Sequence, residues 1–129
     1  MRVIIAGSRE GVTEKHVLYA VLLSGFEISS VVSGRARGAD TYGELFAATV
    51  GLPIVDMPAD WNAYGKAAGH IRNRQMAENA DALIAVWDGQ SGGTRNMIAT
   101  ARELGLKVFV FRTDRWRVDG PRFRRGRVK

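Results

Sequence analysis

The sequence contains no cysteine and only two histidines, His16 and His70. A chain without cysteine forms no disulfide, no thiolate metal site and no cysteine nucleophile, and two isolated histidines are too few for a histidine-rich metal cluster. We therefore expect no bound metal. No apolar run approaches the roughly 18 residues of a membrane-spanning helix, and the N-terminus lacks the basic-then-apolar pattern of a secretory signal. These absences predict a soluble, cytoplasmic protein that has no membrane partner.

Basic charge is concentrated at the C-terminal end of the chain. The formal net charge is +6, but residues 1–111 hold 11 basic and 11 acidic groups, whereas residues 112–129 hold 8 basic and 2 acidic groups. With 129 residues and 46% hydrophobic content, the chain has the size of one globular domain. We predict a domain over residues 1–112, followed by a basic tail over residues 113–129 that has the composition of a disordered segment.

Aromatic residues are interleaved with arginines in this tail, where Trp116 and Phe123 stand among six arginines. Such a composition neutralises phosphates and stacks on bases, and it predicts non-specific, salt-dependent binding of nucleic acid by the tail. The same composition is typical of a solubilising end that has no binding role. The high net charge therefore does not by itself make the domain a nucleic-acid binder.

Five short runs of aliphatic, β-branched and aromatic residues predict five β-strands. Most of these runs are apolar throughout, which is typical of parallel strands that are covered on both faces. Helices then have to connect the strands. The sequence predicts an α/β fold, a Rossmann-like doubly wound three-layer domain in which a five-stranded parallel sheet has helices on both faces. The predicted strands are Val3–Ala6, Ile28–Val32, Ile54–Met57, Ala82–Trp87 and Val108–Phe111.

Apolar residues at helical spacing predict the first, second and fourth connecting helices. The first helix is expected to begin after Thr13 and to end at Gly25. Its core-facing stripe is predicted to be Val17, Leu18, Val21 and Leu22. The corresponding stripe of the second helix is Tyr42, Leu45, Phe46, Thr49 and Val50, and that of the fourth is Met97, Ile98, Ala101 and Leu104.

The third connection, over residues 67–79, is only weakly amphipathic. His70, Asn73 and Arg74 share one of its faces, and Arg72 lies beside them. A polar helix face next to the crevice of a sheet is a candidate functional surface, and Arg72, Asn73 and Arg74 would supplement phosphate binding there. The solvated side of an ordinary helix has the same composition, so both interpretations stay open.

Glycine-rich loops follow three of the five predicted strands. In a doubly wound sheet, ligands bind beyond the carboxyl ends of the strands, where the strand order reverses. Glycine lets the backbone approach a ligand, and a helix that begins just after the loop directs unpaired N–H groups at an anion. One such loop alone is better explained by a tight turn, but convergent loops favour a phosphate site. The candidate residues are Gly7, Ser8 and Arg9 after the first strand, Ser33, Gly34, Arg35, Ala36, Arg37, Gly38 and Asp40 after the second, and Asp88, Gly89, Ser91, Gly92, Gly93 and Thr94 after the fourth.

The loop after the third predicted strand carries aromatic and polar side chains. Trp61 or Tyr64 is placed to stack on a base, and Asp60 or Asn62 to hydrogen-bond a ribose or a base edge. The alternative, that Trp61 only closes one end of the core, is equally consistent with the sequence.

Four segments carry a resemblance to a known family: IIAGSR at 4–9, VVSGRARGADTYGELFA at 31–47, GKAAGHIRNRQM at 65–76 and AVWDGQSGGT at 85–94. In this order they resemble the SLOG superfamily, named for the Smf/DprA and LOG proteins, and specifically its small YspA-like branch of bacteria and their phages. The resemblance spans residues 2–112 and implies a Rossmann-like domain that binds nucleotides or nucleotide-derived ligands through the glycine loops. It implies no single activity, because relatives include phosphoribohydrolases acting on nucleoside monophosphates, sensors of NAD-derived nucleotides and a DNA-binding recombination mediator.

The chain departs from the LOG enzymes at the residue that serves their chemistry. Those enzymes carry a P-G-G-x-G-T-x-x-E loop whose glutamate serves cleavage of the N-glycosidic bond, whereas no carboxylate follows Thr94 here before Met97. A hydrolase would need a carboxyl group from elsewhere. Asp40, Glu44 and Asp88 are the candidate catalytic residues, and Asp60 is a further loop carboxylate. Capping of a helix or turn explains Asp40 and Asp88 equally well.

The leading hypothesis is a sensor or sequestering protein that binds a nucleoside phosphate or an NAD-derived nucleotide without turnover and without a separate cofactor. Hydroxyl groups and arginines of the loops would hold the phosphate, and Trp61 would flank the base. The alternatives are a nucleotide N-glycosidase related to the LOG phosphoribohydrolases and a DNA-binding module related to DprA, whose G-x-A-x-G-I-D loop resembles residues 34–40. The apolar stretch at 17–23 exceeds one helical stripe, which predicts a homo-oligomer, either a dimer or a tetramer.

Overall fold

The computed structural model describes residues 1–115. The predictions for Trp116, Phe123 and the rest of the basic tail beyond residue 115 lie outside the described residues. Within residues 1–115, no helix has the length and apolar composition needed to cross a membrane.

Five parallel strands form one sheet, in the order β3-β2-β1-β4-β5. Helices alternate with the strands along the chain, which confirms the predicted Rossmann-like α/β fold. The strands are β1 (Arg2–Gly7), β2 (Ser30–Ser33), β3 (Ile54–Asp56), β4 (Ala82–Trp87) and β5 (Lys107–Arg112). The helices are α1 (Glu14–Ser24), α2 (Ala39–Val50), the single turn α3 (Trp61–Tyr64), α4 (Ala68–Glu78) and α5 (Gly92–Glu103), with 3₁₀ turns at Gly65–Ala67 and Thr113–Arg115.

The sheet separates two apolar cores because β1 and β4 are apolar on both faces. Val3 and Ile5 of β1 pack in the core under α1 and α2. Ile4, on the opposite face of the same strand, packs with Met76 of α4 and Met97 of α5. Successive residues of a strand point to opposite faces, so an apolar run is what a central, doubly covered strand requires.

The order of the strands reverses between β1 and β4. The chain runs from β1 outward to β2 and β3, then crosses to β4 on the other side of β1. The two central strands pair from Val3 with Ala82 to Gly7 with Val86, so they end side by side. Their following loops lead to helices on opposite faces of the sheet, which opens a crevice between the two carboxyl ends.

Helix α1 has the predicted ends but not the predicted stripe. The Thr13 hydroxyl accepts a hydrogen bond from the His16 backbone N–H, His16 Nδ1 accepts one from the Thr13 N–H, and Gly25 ends the helix in the left-handed region. The buried residues are His16, Val17 and Ala20. Leu18 and Leu22 were expected in the core but are exposed, because the helix packs on the sheet through the face that carries His16, Val17 and Ala20. The homo-oligomer predicted from this apolar stretch stays a prediction.

Helix α2 packs through small residues in place of the predicted large ones. Its buried positions include Ala39, Gly43 and Ala47, one turn apart, whereas the predicted core residues Leu45 and Val50 are exposed. A Cβ atom at Gly43 would lie 2.7 Å from Ile5 Cγ2. The small stripe therefore lets the helix approach β1 closely. Tyr42 and Phe46 are only partly buried beside it, and Thr49 is exposed.

We predict that Gly43→Ala destabilises the protein by about 1–3 kcal/mol, because the added methyl group overpacks the contact with Ile5. At a helical glycine with room for a Cβ atom, the same change would instead raise the free energy of unfolding by up to about 1 kcal/mol. Gly92→Ala in α5 is the matched control, since a Cβ there meets no atom within 4 Å. Urea unfolding of the two variants measures both effects, and a Gly43→Ala variant as stable as Gly92→Ala would contradict the close approach of α2.

Candidate functional site

A cavity of about 470 Å³ lies at the carboxyl ends of β1 and β4. The β1–α1 and β2–α2 loops form one side of it, and α4 and the first turn of α5 form the other. This position is where a doubly wound fold binds its ligands. The predicted site residues that line it are Gly7, Ser8, Arg9, Ala36, Arg37, Asp40, Trp61, Arg72, Asn73, Asp88, Ser91, Gly93 and Thr94.

Several predicted site residues belong to a separate cluster at the ends of β2 and β3. Ser33 Oγ donates to Glu44 Oε2 at 2.5 Å, and Arg35 pairs with Glu44 at 3.0 Å and with Asp56 at 3.7 Å. Ser33, Arg35 and Glu44 therefore hold the β2–α2 loop in place and do not line the cavity. Asp60 also stays outside, because its carboxylate caps α3 by accepting the Ala63 N–H. Gly34, Gly38, Gly89 and Gly92 lie in the loops without lining the cavity.

The first turn of α5 is open towards the cavity. Within residues 1–115, no side chain caps this helix at its N-cap residue, Ser91. Thr94 is buried, and its hydroxyl donates to Ser91 Oγ at 3.2 Å. Gly93 lines the cavity, and a Cβ atom on Gly92 or Gly93 would meet nothing within 4 Å. The backbone N–H groups of this turn are thus accessible to a ligand and carry the positive end of the helix dipole.

Asp88 organises the loop that leads into α5. Its Oδ1 accepts hydrogen bonds from the N–H groups of Gln90 at 2.9 Å and Ser91 at 2.8 Å, and these bonds lower the pKa of the carboxyl group. The Asp88 N–H in turn donates to Ser8 Oγ at 3.0 Å. One oxygen of the Asp88 carboxylate therefore holds the loop in place, although Asp88 was predicted as a candidate catalytic residue.

Trp87 fixes the other end of this loop. Its indole N–H donates to the Ser91 carbonyl at 3.1 Å, and the guanidinium groups of Arg95 and Arg112 lie 5.4 and 5.2 Å from the ring centroid. Arg112 is held by two hydrogen bonds to Asp114, at 2.8 and 2.7 Å. Because of these contacts, the open turn of α5 is anchored to β4 and β5.

Arg72 connects the second loop to α4. Its Nη1 donates to the Gly34 carbonyl at 2.7 Å, and its Nε donates to Asn73 Oδ1 at 3.1 Å. A Cβ at Gly34 would lie 2.9 Å from Arg72 Cζ, so the glycine makes room for this side chain. Asn73 Nδ2 continues the network to the Gly93 carbonyl at 3.2 Å and Asn96 Oδ1 at 3.0 Å. Burial lowers the pKa of Arg72, opposed by the charge of Asp40.

Asp40 is a buried carboxyl group in the cavity wall, with 3% of its surface exposed. Burial raises its pKa to about 6, opposed by the N–H groups of Ala36 and Gly34 and by the charge of Arg72. The hydrogen bond from Ala36 N to Asp40 Oδ2 is 3.3 Å long. Of the candidate catalytic carboxyl groups, Glu44 and Asp88 are held by the contacts described above. Glu44 lies outside the cavity, whereas Asp40 and Asp88 line it, so the N-glycosidase hypothesis depends on these two residues.

The charged groups of the cavity favour an anion. Four basic residues line it, namely Arg9, Arg37, Lys66 and Arg72, against the acidic residues Glu10, Asp40 and Asp88. Arg37 forms an exposed ion pair with Glu10. Neither Arg9 nor Lys66 forms an ion pair with another residue of the described part of the chain, so both are available to a ligand.

Sequence reasoning missed part of the lining. Met76 follows Asn73 by three residues on α4, and Met97 follows Thr94 by three residues on α5, so helical spacing would have indicated both as neighbours of predicted site residues. Ala6, Glu10, Lys66 and Gly69 also line the cavity, as does His70 of the predicted polar face. Arg74 of that face points elsewhere and pairs with Glu78 and Glu103 at 3.6 and 3.8 Å.

Trp61 stands at the edge of the cavity with about half of its surface exposed. A Cβ at Gly69 would lie 3.7 Å from its Cη2 atom, so the indole rests against the backbone of α4. Tyr64 is also half-exposed and does not line the cavity. The indole therefore does not close the core, and its ring is available for stacking.

Comparison with known proteins shows similarity to the Gene 61 protein of Mycobacterium phage D29. The two sequences are 36% identical over 87 residues, which cover 63% of this chain and 70% of that protein. No family model matches the chain, and the resemblance to the SLOG superfamily stays a prediction.

We predict that Asp40→Asn stabilises the protein at neutral pH. The folded-state pKa of about 6 lies above that of an unfolded aspartate, so the unfolded chain ionises more readily, and the folded carboxylate lowers the free energy of unfolding above pH 6. A shift of this size corresponds to at most about 3 kcal/mol. Urea unfolding near pH 7.5 and near pH 4.5 should show a stability gain that shrinks at the lower pH.

Wild type and Asp40→Asn are compared at the same pH, because His16 also makes the stability depend on pH. Burial lowers its pKa, so its contribution to stability is lost as the pH falls below about 6.5, in both proteins alike. The difference between wild type and variant removes that contribution. A difference that is the same at both pH values would show that Asp40 is not a buried, weakly compensated carboxylate.

Proposed function

We propose that this chain, which belongs to the same family as the Gene 61 protein of Mycobacterium phage D29, binds a nucleoside phosphate or an NAD-derived nucleotide in the cavity between β1 and β4. The proposed role is that of a sensor or sequestering protein, which holds its ligand without turnover.

The observation that carries this proposal is the open first turn of α5. A glycine inside a helix costs about 1 kcal/mol relative to alanine, and here two consecutive glycines are not required by any neighbouring atom. Direct contact between an anion and the backbone at Gly93 explains this choice, because a Cβ would occupy the space that the anion needs. A phosphate group is the anion that helix N-termini of this fold commonly hold.

The remaining lining supports a nucleotide as the bearer of that phosphate. Arg9 and Lys66 supply positive charge, and Ser91 and Thr94 supply hydroxyl groups beside the open turn. Trp61 presents a half-exposed indole at the edge of the same cavity, where a base would stack. Resemblance of the loops to the SLOG superfamily and its YspA-like branch favours the same class of ligand.

Binding without turnover is favoured by the positions of the carboxyl groups. No carboxylate stands between Thr94 and Met97 in α5, Asp88 accepts two loop N–H groups, and Glu44 is bonded to Ser33 and Arg35. Cleavage of a glycosidic bond needs a carboxyl group at the reacting carbon. Asp40 and Asp88 are the candidates that line the cavity, and release of free base is the measurement that would reveal such chemistry.

The first test is to incubate the protein with nucleoside monophosphates, ADP-ribose and NAD, to separate bound from free ligand by ultrafiltration, and to read both fractions by mass spectrometry. We expect an intact nucleotide in the bound fraction. Free base in the filtrate would replace the proposal with an N-glycosidase, and retention of no ligand would contradict nucleotide binding.

The second test uses two matched pairs of variants with the retained ligand. Gly93→Ala should weaken binding about tenfold or more, because the methyl group blocks the backbone contact, whereas Gly92→Ala should leave the affinity unchanged. Arg9→Gln should weaken binding by a similar factor, whereas Arg74→Gln removes the same charge outside the cavity and should not. Equal effects within either pair would place the ligand away from the cavity.

A further inference from the structure

A buried carboxylate is out of place in a cavity that favours anions. Asp40 is the one buried charged side chain of the lining, while the lining arginines and Lys66 are more exposed. Its negative charge repels a phosphate, and its burial carries the energetic cost that the raised pKa expresses. An anion-binding role for the cavity therefore does not explain Asp40.

Helix capping does not explain it either. A capping carboxylate accepts an N–H from the first turn of its own helix. In α2 no side-chain cap is formed by the N-cap residue, Gly38, and Asp40 accepts the N–H of Ala36, which precedes the helix. A favourable interaction with the helix dipole is available to an exposed carboxylate and does not require burial.

Asp40 has acceptor capacity to spare. A carboxylate offers about four lone-pair positions. The Ala36 N–H occupies one through a bond of 3.3 Å, and the Gly34 N–H lies close enough to lower the pKa. Arg72 is bonded to the Gly34 carbonyl and to Asn73, and within residues 1–115 it forms no ion pair with Asp40 inside 4 Å. The remaining positions are available to hydrogen-bond donors in the cavity.

We propose that Asp40 accepts hydrogen bonds from the adjacent 2′ and 3′ hydroxyl groups of a ribose, and that the cavity thereby selects ribonucleotides over nucleotides whose sugar lacks these hydroxyl groups. Two neighbouring hydroxyl groups match the two oxygens of a carboxylate, and they are neutral donors that its charge attracts. A ligand without these hydroxyl groups leaves the desolvated carboxylate uncompensated, which is a strong basis for discrimination. This inference rests on the proposed nucleotide binding and names the class of nucleotide.

The proposed contact also fixes the sign of a pH effect. Hydroxyl donors stabilise the ionised carboxylate, so preference for ribose is greatest above pH 6 and falls as Asp40 becomes protonated. A protonated Asp40 that donated to the ligand would give the opposite trend. The charged groups that face Asp40 are Arg72 from α4 and Glu44 from α2, with Arg9 acting on Arg72 from the β1–α1 loop. His70 also lines the cavity, and the second ionisation of a ligand phosphate falls in the same pH range, so the readout compares two ligand series that share both groups.

A competition experiment meets this requirement. The protein is incubated with an equimolar mixture of the four ribonucleoside 5′-monophosphates and their four 2′,3′-dideoxy counterparts, and the bound ratio of the two series is measured by mass spectrometry. Phosphate and His70 affect both series equally, so the ratio reports on the hydroxyl groups. We expect the wild type to favour the ribose series by about tenfold or more near pH 7.5, and by less near pH 5.5.

Asp40→Ala is the decisive variant. Its ratio should fall to about one and lose its pH dependence, while it still retains the dideoxy series, because removing the carboxylate leaves the phosphate contacts in place. Asp40→Asn keeps one acceptor oxygen and should give an intermediate ratio. Retained dideoxynucleotide demonstrates that the variant site is folded.

Four outcomes would overturn the inference. Equal retention of both series by the wild type, or an unchanged ratio in Asp40→Ala, overturns it alone and leaves the proposed nucleotide binding intact. Preference for ribose that grows as the pH falls overturns it in favour of a protonated, donating Asp40. If neither series is retained, both this inference and the proposed binding of nucleoside monophosphates are overturned.

Discussion

The parallel pairing of β1 with β4 is the constraint on which the rest of the structure depends. The two strands are adjacent in the sheet but distant in sequence, and both are buried on their two faces. Their pairing continues beyond the strands, because the Ser8 N–H donates to the Val86 carbonyl at 2.9 Å and Asp88 N–H donates to Ser8 Oγ. The two edges of the crevice are thus held together by a main-chain hydrogen bond and by the side chain of Ser8.

The glycines of the loops that border this crevice occur for different structural reasons. At Gly34 the missing side chain accommodates the Arg72 guanidinium, so this glycine serves an internal contact between two elements. At Gly93 no internal contact uses the space. A glycine-rich segment therefore combines positions that shape the protein with positions that leave room for something else. Only the surroundings of each missing Cβ distinguish the two.

The sequence was sufficient to predict the sheet and most of the cavity-lining loops. Runs of apolar residues determine which strands are central, and ligand sites of this fold follow the strand ends, so residues such as Ser8 and Asn73 could be named in advance. The helix faces could not all be predicted in this way. In α2 the stripe of alanines and Gly43 packs more closely than the larger Leu45 would allow, and in α1 the buried face includes the small Ala20 and the polar His16 in place of Leu18 and Leu22.

The sequence also could not show which partner each charged side chain contacts. Arg35 and Arg37 belong to the same loop and have the same chemistry, yet one pairs with Glu44 and Asp56 and the other lines the cavity beside Glu10. Which arginine reaches the cavity depends on the backbone, where Arg35 adopts a φ of 60°. A non-glycine residue in this region is uncommon, and nothing in the local sequence indicates it.

The short helix α3 gives the two ends of the site different evolutionary freedom. None of its residues is buried, and Trp61 rests on α4 without entering either core. Replacing residues of this segment consequently affects folding little, whereas the loops after β1 and β4 are bonded into the centre of the sheet. Substitutions in α3 can thus change the side chains at the edge of the cavity without disturbing the loops that form its other walls.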